Sequence, residues 1–298
     1  MYNGFNRFKN ALIVFYIAFA LASCYNLAQT ILHQGEAVAT FIDVGQGDSE
    51  MITTPQGRRV LIDSGNDDST ASNEASVIKY LRANGINKVD VATISHYDGD
   101  HAGGMKFVVY EFDVELLILP MPITDDDFAM RDEILASTQP QTKVVYVKGE
   151  GEQLKIGDEF IAEVLRCNVN AKDDNERSIV LKATCFDTKM MFTGDMGIDA
   201  ESDMLGEYAS EVLDVDIAKV AHHGSKYSSS LEFYEAMTPQ YAVIEVGSNM
   251  YGHPTVEAMD RIKASGAEVL TTKDKGSINF YIDKGEYRYD DKTIKNSI

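Results

Sequence analysis

The feature that most constrains this chain is a polar loop that follows an apolar strand. Residues 89–94 form a short run rich in β-branched side chains, which predicts a buried strand. Residues 95–101 read S-H-Y-D-G-D-H, so His96, Asp98, Asp100 and His101 lie close together in the chain. Imidazole and carboxylate groups together suit a divalent transition metal. The sequence therefore predicts an α/β protein with a metal-binding loop at the end of a strand.

Strands and helices alternate through the rest of the chain after residue 35. Residues 41–44 and 60–62 lie on either side of a Pro-Gln-Gly turn at 55–57, which predicts a hairpin. Residues 45–48, G-Q-G-D, lack the Lys and Ser/Thr of a phosphate-binding loop and are interpreted as a tight turn. Further strands are predicted at 116–119, 144–147, 159–166, 178–186, 190–193, 215–220 and 241–246, and helices at 74–83, 126–136, 231–237 and 255–264. No linker or fixed repeat divides these elements, so we expect one α/β domain with two similar halves.

Three more histidines follow predicted strands in the second half of the chain. His222 and His223 come after the strand at 215–220, and His253 follows the strand at 241–246. Side chains beyond the carboxyl ends of strands can converge on one rim of a sheet. We therefore expect these imidazoles to lie near His96 and His101.

The charge of the chain restricts what it can bind. Its 298 residues include 47 Asp and Glu but 27 Lys and Arg, which gives a net charge of -20. This balance argues against a protein that coats nucleic acid or anionic lipid. The hydrophobic content of 44% is sufficient for a core and excludes a disordered chain. Residues 219–298 are close to neutral, so an anionic substrate is expected to bind there or through bound cations.

The first 33 residues have the form of an export segment. Arg7 and Lys9 precede an apolar run at 11–22, which ends in Leu-Ala-Ser-Cys at 21–24. This ending resembles the lipobox of bacterial lipoproteins, in which the cysteine, here Cys24, carries lipid. The alternative is an uncleaved anchor over 11–32, interrupted by polar residues. Both interpretations attach residues 34–298 to the membrane, on the outer side of the cytoplasmic membrane.

The loop at 96–101 has an H-x-D-x-D-H pattern that resembles the metal loop of the metallo-β-lactamase superfamily. Further motifs follow in a specific order: FIDVGQGDS at 41–49, LIDSG at 61–65, TGD at 193–195, HHGS at 222–225 and YGHP at 251–254. Together they resemble the hydrolase domain of the competence (ComEC-type) DNA-uptake proteins over about residues 37–280. The multi-helix membrane channel of that family is absent from this sequence, so we expect a stand-alone exported relative.

This resemblance implies an αβ/βα sandwich, with two mixed sheets flanked by helices, and makes residues 34–298 the hydrolase domain. It also implies a two-metal centre on the rim of the sandwich. His96 and Asp98 would bind one ion, Asp100 and His101 the other, and Asp195 would bridge them. A bridging carboxylate can hold two cations close enough to activate a hydroxide between them.

Supporting roles around the two ions also follow from the resemblance. Either His222 or His223 would complete the second site, and the sequence leaves open which one does. Asp63 would accept a hydrogen bond from a ligand imidazole and so fix its tautomer. The residues assigned to catalysis are Asp100 and His253, and those assigned to the substrate phosphate are His253, Ser225 and Lys226.

Two departures from the general superfamily pattern bear on the metal. Asp98 stands where the H-x-H-x-D-H form has its middle histidine, although the competence branch shows the same aspartate. In addition, the stretch between residues 110 and 194 contains no histidine. A larger share of oxygen ligands favours Mn²⁺ or Mg²⁺ over Zn²⁺, which remains a candidate. The resemblance thus implies two divalent ions and argues against β-lactam hydrolysis.

Three functions remain open on the sequence. The first is a metal-dependent phosphodiesterase, or nuclease, that acts on DNA outside the membrane. The second keeps the metals but acts on a small phosphodiester or a lactone-type ester, which the acidic charge suits better. The third is a non-catalytic surface protein that uses the fold for binding. The sequence identifies no protein partner.

Overall fold

Two mixed β-sheets lie at the centre of the fold. The strands, in chain order, are β1 (Ala37–Phe41), β2 (Glu50–Thr53), β3 (Arg59–Ile62), β4 (Lys88–Thr93), β5 (Asp113–Leu119), β6 (Lys143–Tyr146), β7 (Gln153–Ile156), β8 (Phe160–Arg166), β9 (Val180–Cys185), β10 (Thr188–Phe192), β11 (Ile217–Lys219), β12 (Tyr241–Ile244), β13 (Glu268–Thr271), β14 (Ile278–Asp283) and β15 (Glu286–Tyr289). One sheet has the order β15-β14-β1-β2-β3-β4-β5-β6, and the other has the order β13-β12-β11-β10-β9-β8-β7. Strands β3 to β6 are parallel in the first sheet, and β10 to β13 are parallel in the second.

These coordinates are a computed structural model that describes residues 35–70, 74–284 and 286–289. The predicted export segment at 1–33, with Cys24, lies outside the described residues, and its boundary at residue 34 stays a prediction. Within the described ranges, no helix combines the length and the apolar character needed to cross a membrane.

Helices cover the outer faces of both sheets. They are α1 (Ser76–Ala83), α2 (Gly99–Ala102), α3 (Met105–Glu111), α4 (Asp125–Ser137), α5 (Ile198–Glu207), α6 (Ser210–Leu213), α7 (Leu231–Met237), α8 (Val256–Ala264) and α9 (Thr272–Lys275). Leu81 of α1 and Val108 of α3 pack on the first sheet, and Phe233 of α7 and Ile262 of α8 pack on the second. The predicted αβ/βα sandwich is confirmed.

The inner faces of the two sheets share one apolar core. Phe41 of β1 contacts Phe192 of β10, with ring centroids 6.1 Å apart, and Phe280 of β14, with centroids 5.9 Å apart. Val60 of β3 and Val243 of β12 belong to the same buried cluster. Because each inner face is apolar, removing it from water is the main force that holds the sheets together.

Most predicted elements are present, but the predicted pairing of the first hairpin is wrong. The turn at 55–57 joins β2 to β3, and β2 lies between β1 and β3 in the sheet. Strand β2 was missed because it is short and contains the charged Glu50, which is buried. Helices α3 and α5 were also missed. In α5 the apolar pattern is weak, since acidic residues outnumber its buried Ala200 and Met204.

Candidate metal centre

The predicted metal loop lies beyond the carboxyl end of β4, at one rim of the sandwich. After β4 the chain turns into α2, which carries Asp100 and His101. From the second sheet, Asp195 follows β10, and His222 and His223 follow β11. The loops of both sheets therefore bring the predicted ligands to one place.

Three buried imidazoles and one carboxylate converge at this rim. The Nε2 atom of His101 lies 3.1 Å from Oδ1 of Asp195. The Nε2 atom of His223 lies 3.6 Å from Oδ2 of the same carboxylate and 3.2 Å from Oδ2 of Asp100. The rings of His96 and His101 are 4.1 Å apart between centroids. His96, His101 and Asp195 each offer a ligand atom within 4.8 Å of the others.

The Nδ1 atom of each of these three imidazoles contacts a second residue. Nδ1 of His101 donates to Oδ2 of Asp63 at 2.9 Å, and Nδ1 of His223 donates to the carbonyl of Glu245 at 2.8 Å. Nδ1 of His96 lies 2.9 Å from Oγ of Ser95, which in turn donates to Asp63 at 2.7 Å. These contacts leave the Nε2 atoms directed toward the shared centre, as metal-binding histidines require.

The donor set fits a divalent metal ion. Within the described part of the chain, Nε2 of His96, His101 and His223 and Oδ1 of Asp195 are buried atoms that make no hydrogen bond. A buried polar atom without a partner is costly, so a group that binds there would satisfy four at once. Neutral imidazole and carboxylate suit Zn²⁺, Mn²⁺ and similar ions.

Asp98, His222 and His253 lie at the more open side of the centre. Oδ2 of Asp98 is 3.6 Å from Nε2 of His96, and its side chain is 44% exposed. Nε2 of His222 is 3.7 Å from Oδ2 of Asp195, so His222 and His223 both reach this carboxylate. The ring of His253 lies 5.5 Å from the ring of His222. Burial lowers the pKa of both His222 and His253. His222 and His223 lower the pKa of His253 further, whereas Asp195 opposes the shift of His222.

Ser225 and Lys226, predicted to contact substrate phosphate, lie directly after this histidine pair. Ser225 is buried and its Oγ accepts a hydrogen bond from the backbone of Tyr227 at 3.3 Å. Lys226 is exposed, with Nζ 5.0 Å from the ring centroid of Tyr227. The phosphate role of both residues stays a prediction.

The buried Lys219 lies next to the carboxylates of Asp48 and Asp195. Nζ of Lys219 pairs with Asp48, donates to the carbonyl of Gly194 at 2.6 Å and lies 3.6 Å from Oδ1 of Asp195. Burial alone would raise the pKa of Asp195, but His101, His223 and Lys219 hold it well below its usual range. Asp195 is therefore an anion without help from a metal.

Asp48 belongs to the supporting layer rather than to the ligand set. Its Oδ2 lies 3.4 Å from Nδ1 of His101, and its Oδ1 lies 3.2 Å from Nδ1 of His223. Both nitrogens face away from Asp195. Burial opposes ionisation of Asp48, but Lys219 and the two imidazoles lower its pKa.

Two glycines allow the loops to meet. Gly47, at φ 138°, lies against the backbone of Asp100, whose carbonyl accepts a hydrogen bond from Asp48 N–H at 3.0 Å. A Cβ at Gly194, which has φ 51°, would stand 2.8 Å from the side chain of Ser178. Ser178 Oγ accepts a hydrogen bond from Asp195 N–H at 3.0 Å. Both positions therefore require glycine.

Two further buried carboxyl groups, Glu50 and Glu245, border Asp48. Burial and the Asp48 charge raise the pKa of Glu50 to about 8, and burial with Glu50 raises that of Glu245. One oxygen of Glu245 accepts a hydrogen bond from Ser49 N–H at 3.1 Å. At neutral pH this pair holds at least one proton.

The sequence interpretation missed Asp48, Lys219, Glu50 and Glu245. The 45–48 segment does turn between strands, but its Asp48 is fully buried among the histidines. The available signal was charge inside apolar strands: Lys219 lies between Ala218 and Val220, and Glu245 lies between Ile244 and Val246. A charged residue in such a run is rarely buried without a partner.

Comparison with known proteins agrees with this geometry. A family model described as "Metallo-beta-lactamase superfamily" matches residues 42–247. The chain is 29% identical over 253 residues to "Competence protein ComA" of Neisseria gonorrhoeae, covering 85% of this chain and 33% of that protein. It is 28% identical over 260 residues to "ComE operon protein 3" of Bacillus subtilis (strain 168), covering 82% of this chain and 33% of that protein. The chain thus spans about a third of the length of these relatives.

Solved structures share the fold. YhfI of Bacillus subtilis, a metallo-beta-lactamase fold protein, superposes with a TM-score of 0.52 at 12% identity, covering 80% of this chain and 98% of that one. Zn²⁺-bound PqqB of Methylobacterium extorquens gives a TM-score of 0.52 at 8% identity, covering 79% and 97%. At these identities the comparison shows the fold alone.

Proposed function

The chain belongs to the metallo-β-lactamase superfamily, and from that premise we propose that it is a phosphodiesterase that cleaves DNA outside the membrane. The fold indicates a metal-dependent hydrolase, and folds of this type bind divalent metals such as Zn²⁺. The observation that carries the proposal is the convergence of three unpartnered Nε2 atoms on the carboxylate of Asp195.

The residues that would hold the metal divide into two groups around Asp195. We propose that His96 and Asp98 form one group, and that Asp100 and His101 form the other with either His223 or His222. When bound, such ions acidify water and neutralise charge on a phosphate. The carboxylates in both groups favour Mn²⁺ over Zn²⁺, since oxygen ligands suit harder ions.

The chain's own side chains would orient the substrate and move protons. His253 lies at the open side of the centre, and its lowered pKa keeps the imidazole neutral at pH 7. A neutral imidazole can donate a hydrogen bond to a phosphate oxygen through its N–H, and its other nitrogen can accept a proton. Asp100, paired with His223, would fix the geometry of the second group.

DNA as substrate is supported by the competence relatives, although the chain spans only a third of their length. The net charge of -20 argues against tight binding of duplex DNA through its backbone. Local neutralisation by two dications would still admit a single phosphate. The export segment predicted at residues 1–33 would place this activity outside the cytoplasmic membrane.

The test is degradation of end-labelled single-stranded and duplex DNA by the purified protein in Mn²⁺, with a chelator control. We expect Mn²⁺-dependent cleavage that Asp100→Ala abolishes without unfolding the protein. If the folded, metal-loaded protein cleaves neither DNA, the proposal that DNA is the substrate is contradicted.

A small phosphodiester or a lactone-type ester is the second candidate, and the acidic charge favours it. Turnover of an oligonucleotide and of bis-p-nitrophenyl phosphate can be compared across salt concentrations. Polymer binding weakens steeply with salt because counterions are released, whereas a small monoanion shows little dependence. If the metal-loaded protein turns over neither compound, a non-catalytic binding role follows.

A further inference from the structure

Large apolar side chains are exposed on the two segments of chain that carry His223 and His253. The loop after His223 exposes Tyr227, and the segment around His253 exposes three more residues. We call these four residues the rim patch: Tyr227 (68% exposed), Met250 (101%), Tyr251 (76%) and Val256 (72%). Apolar side chains that cluster on a surface mark a binding site more often than chance exposure.

Hydrogen bonds tie the two loops into one surface. Thr255 donates from both N–H (2.9 Å) and Oγ1 (3.1 Å) to the carbonyl of Gly224. The guanidinium of Arg261 on α8 donates to the carbonyls of Lys226, Ser228 and Ser229. The rim patch is therefore built on a single bonded unit.

The exposure of Tyr251 is fixed by the loop that carries it. Oδ1 of Asn249 accepts hydrogen bonds from the N–H groups of Gly252 (2.9 Å) and His253 (3.1 Å). Nδ2 of Asn249 donates to the carbonyls of Gly247 (3.2 Å) and His253 (2.9 Å). One side chain thus closes the loop from both ends and holds Tyr251 outward.

A short series of rings connects Tyr251 to the metal ligands. The Tyr251 ring lies 5.8 Å from that of His253 at an interplanar angle of 31°, and His253 lies 5.5 Å from His222. Nε2 of His222 is 3.7 Å from Asp195. An aromatic face therefore stands beside the reacting centre, close enough to hold a neighbouring part of the same substrate.

We propose that the rim patch is a stacking platform for unpaired nucleobases, with Tyr251 as its main contact, so that the substrate is single-stranded nucleic acid. This inference rests on the phosphodiesterase proposed above. Bases stack on aromatic side chains whatever their sequence, and this mode of binding needs little positive charge. Bases in a duplex are already stacked, so only an unpaired end or strand can use Tyr251. Lys226, with Nζ 5.0 Å from the Tyr227 ring centroid, adds a positive charge beside the rim patch that would attract a phosphate of the bound strand.

The test is binding of a fluorescein-labelled single-stranded 12-mer, followed by anisotropy in EDTA so that no cleavage occurs. Tyr251→Ala should weaken binding about fivefold to 150-fold, the range for loss of one base–aromatic stack. Tyr251→Phe keeps the ring and should bind like the wild type. Tyr110→Ala removes an equally exposed tyrosine on α3, outside the rim patch, and should have no effect.

A second oligonucleotide of the same length, built from abasic residues, separates base stacking from contacts to the backbone, because it has no bases. We expect the wild type to bind it weakly and Tyr251→Ala to cause no further loss. Equal effects of Tyr251→Ala on both oligonucleotides, or no effect on either, would overturn the inference. So would the absence of any binding by the wild type both in EDTA and in Mn²⁺. Tyr251-dependent binding without cleavage in Mn²⁺ would instead contradict the phosphodiesterase and leave the platform standing.

Discussion

Oδ2 of Asp63 lies 2.9 Å from Nδ1 of His101, on the side of the imidazole opposite Asp195. The same carboxylate also accepts hydrogen bonds from Ser95 N–H (2.6 Å) and Ser95 Oγ (2.7 Å). Asp63 is held at φ 55°, a left-handed conformation that Asp and Asn tolerate. It therefore fixes His101 in the tautomer whose Nε2 can bind a metal.

Asp63→Asn should lower the affinity for Mn²⁺ or Zn²⁺ about 10- to 100-fold, the usual cost of losing a carboxylate behind a ligand imidazole. The amide keeps the left-handed backbone and one acceptor oxygen, so the fold should survive. Competition with a chromophoric chelator measures the affinity. The control is Asp90→Asn, which changes a buried aspartate in β4. The metal affinity of this variant should equal that of the wild type, because Asp90 pairs with Arg58 and Lys88. Similar losses in both variants would contradict the role of Asp63.

Lys219→Met should destabilise the metal-free protein by about 3–5 kcal/mol, because it leaves Asp48 buried without its cation. The double variant Lys219→Met/Asp48→Asn removes both charges and should recover a large part of that loss. Urea unfolding of the wild type, the two single variants and the double variant measures the coupling. Strictly additive losses would show that the two side chains do not act as a pair.

The stability of the metal-free protein should fall as the pH rises from 6.5 to 9. Burial opposes protonation of His223, but Asp195 and Asp48 raise its pKa to about 10 from 6.5. A raised pKa contributes stability that is complete below the unfolded value and is lost as the pH passes through the folded value. Glu50, with its pKa raised to about 8 from 4.5, acts in the same direction.

Mn²⁺ should reverse this trend, because a metal binds neutral imidazole and competes with the protons on His101 and His223. The increase in Tm on adding Mn²⁺ should therefore grow over the same pH range. Thermal unfolding with and without Mn²⁺ at each pH measures both effects. An increment that stays constant with pH would mean that these imidazoles do not bind the ion.

The pattern of strand ends predicted an α/β protein with His96 and His101 near the other imidazoles, because strand ends in an α/β protein meet at one rim. The layered sandwich and the place of Asp195 came from the family resemblance. The sequence was not sufficient for the layer behind the ligands. Asp48 and Lys219 come together only when β11 of the second sheet meets the 45–48 turn of the first. Such a contact depends on how the two sheets pack, so a charge inside an apolar run indicates burial but does not identify the partner. Strand β2 was missed for a similar reason, because the buried Glu50 has the character of an exposed residue in the sequence.

The most direct test of a metal-dependent phosphodiesterase compares the wild type with Asp195→Asn, which keeps the shape of the side chain and removes the charge shared by the ligand groups. Cleavage of end-labelled single-stranded DNA is measured in Mn²⁺ and in EDTA, with Tm as the control for folding. We predict cleavage by the wild type in Mn²⁺ alone, and a loss of more than about 100-fold in the folded variant. Cleavage that survives in EDTA, or equal activity in the folded variant, would contradict the account.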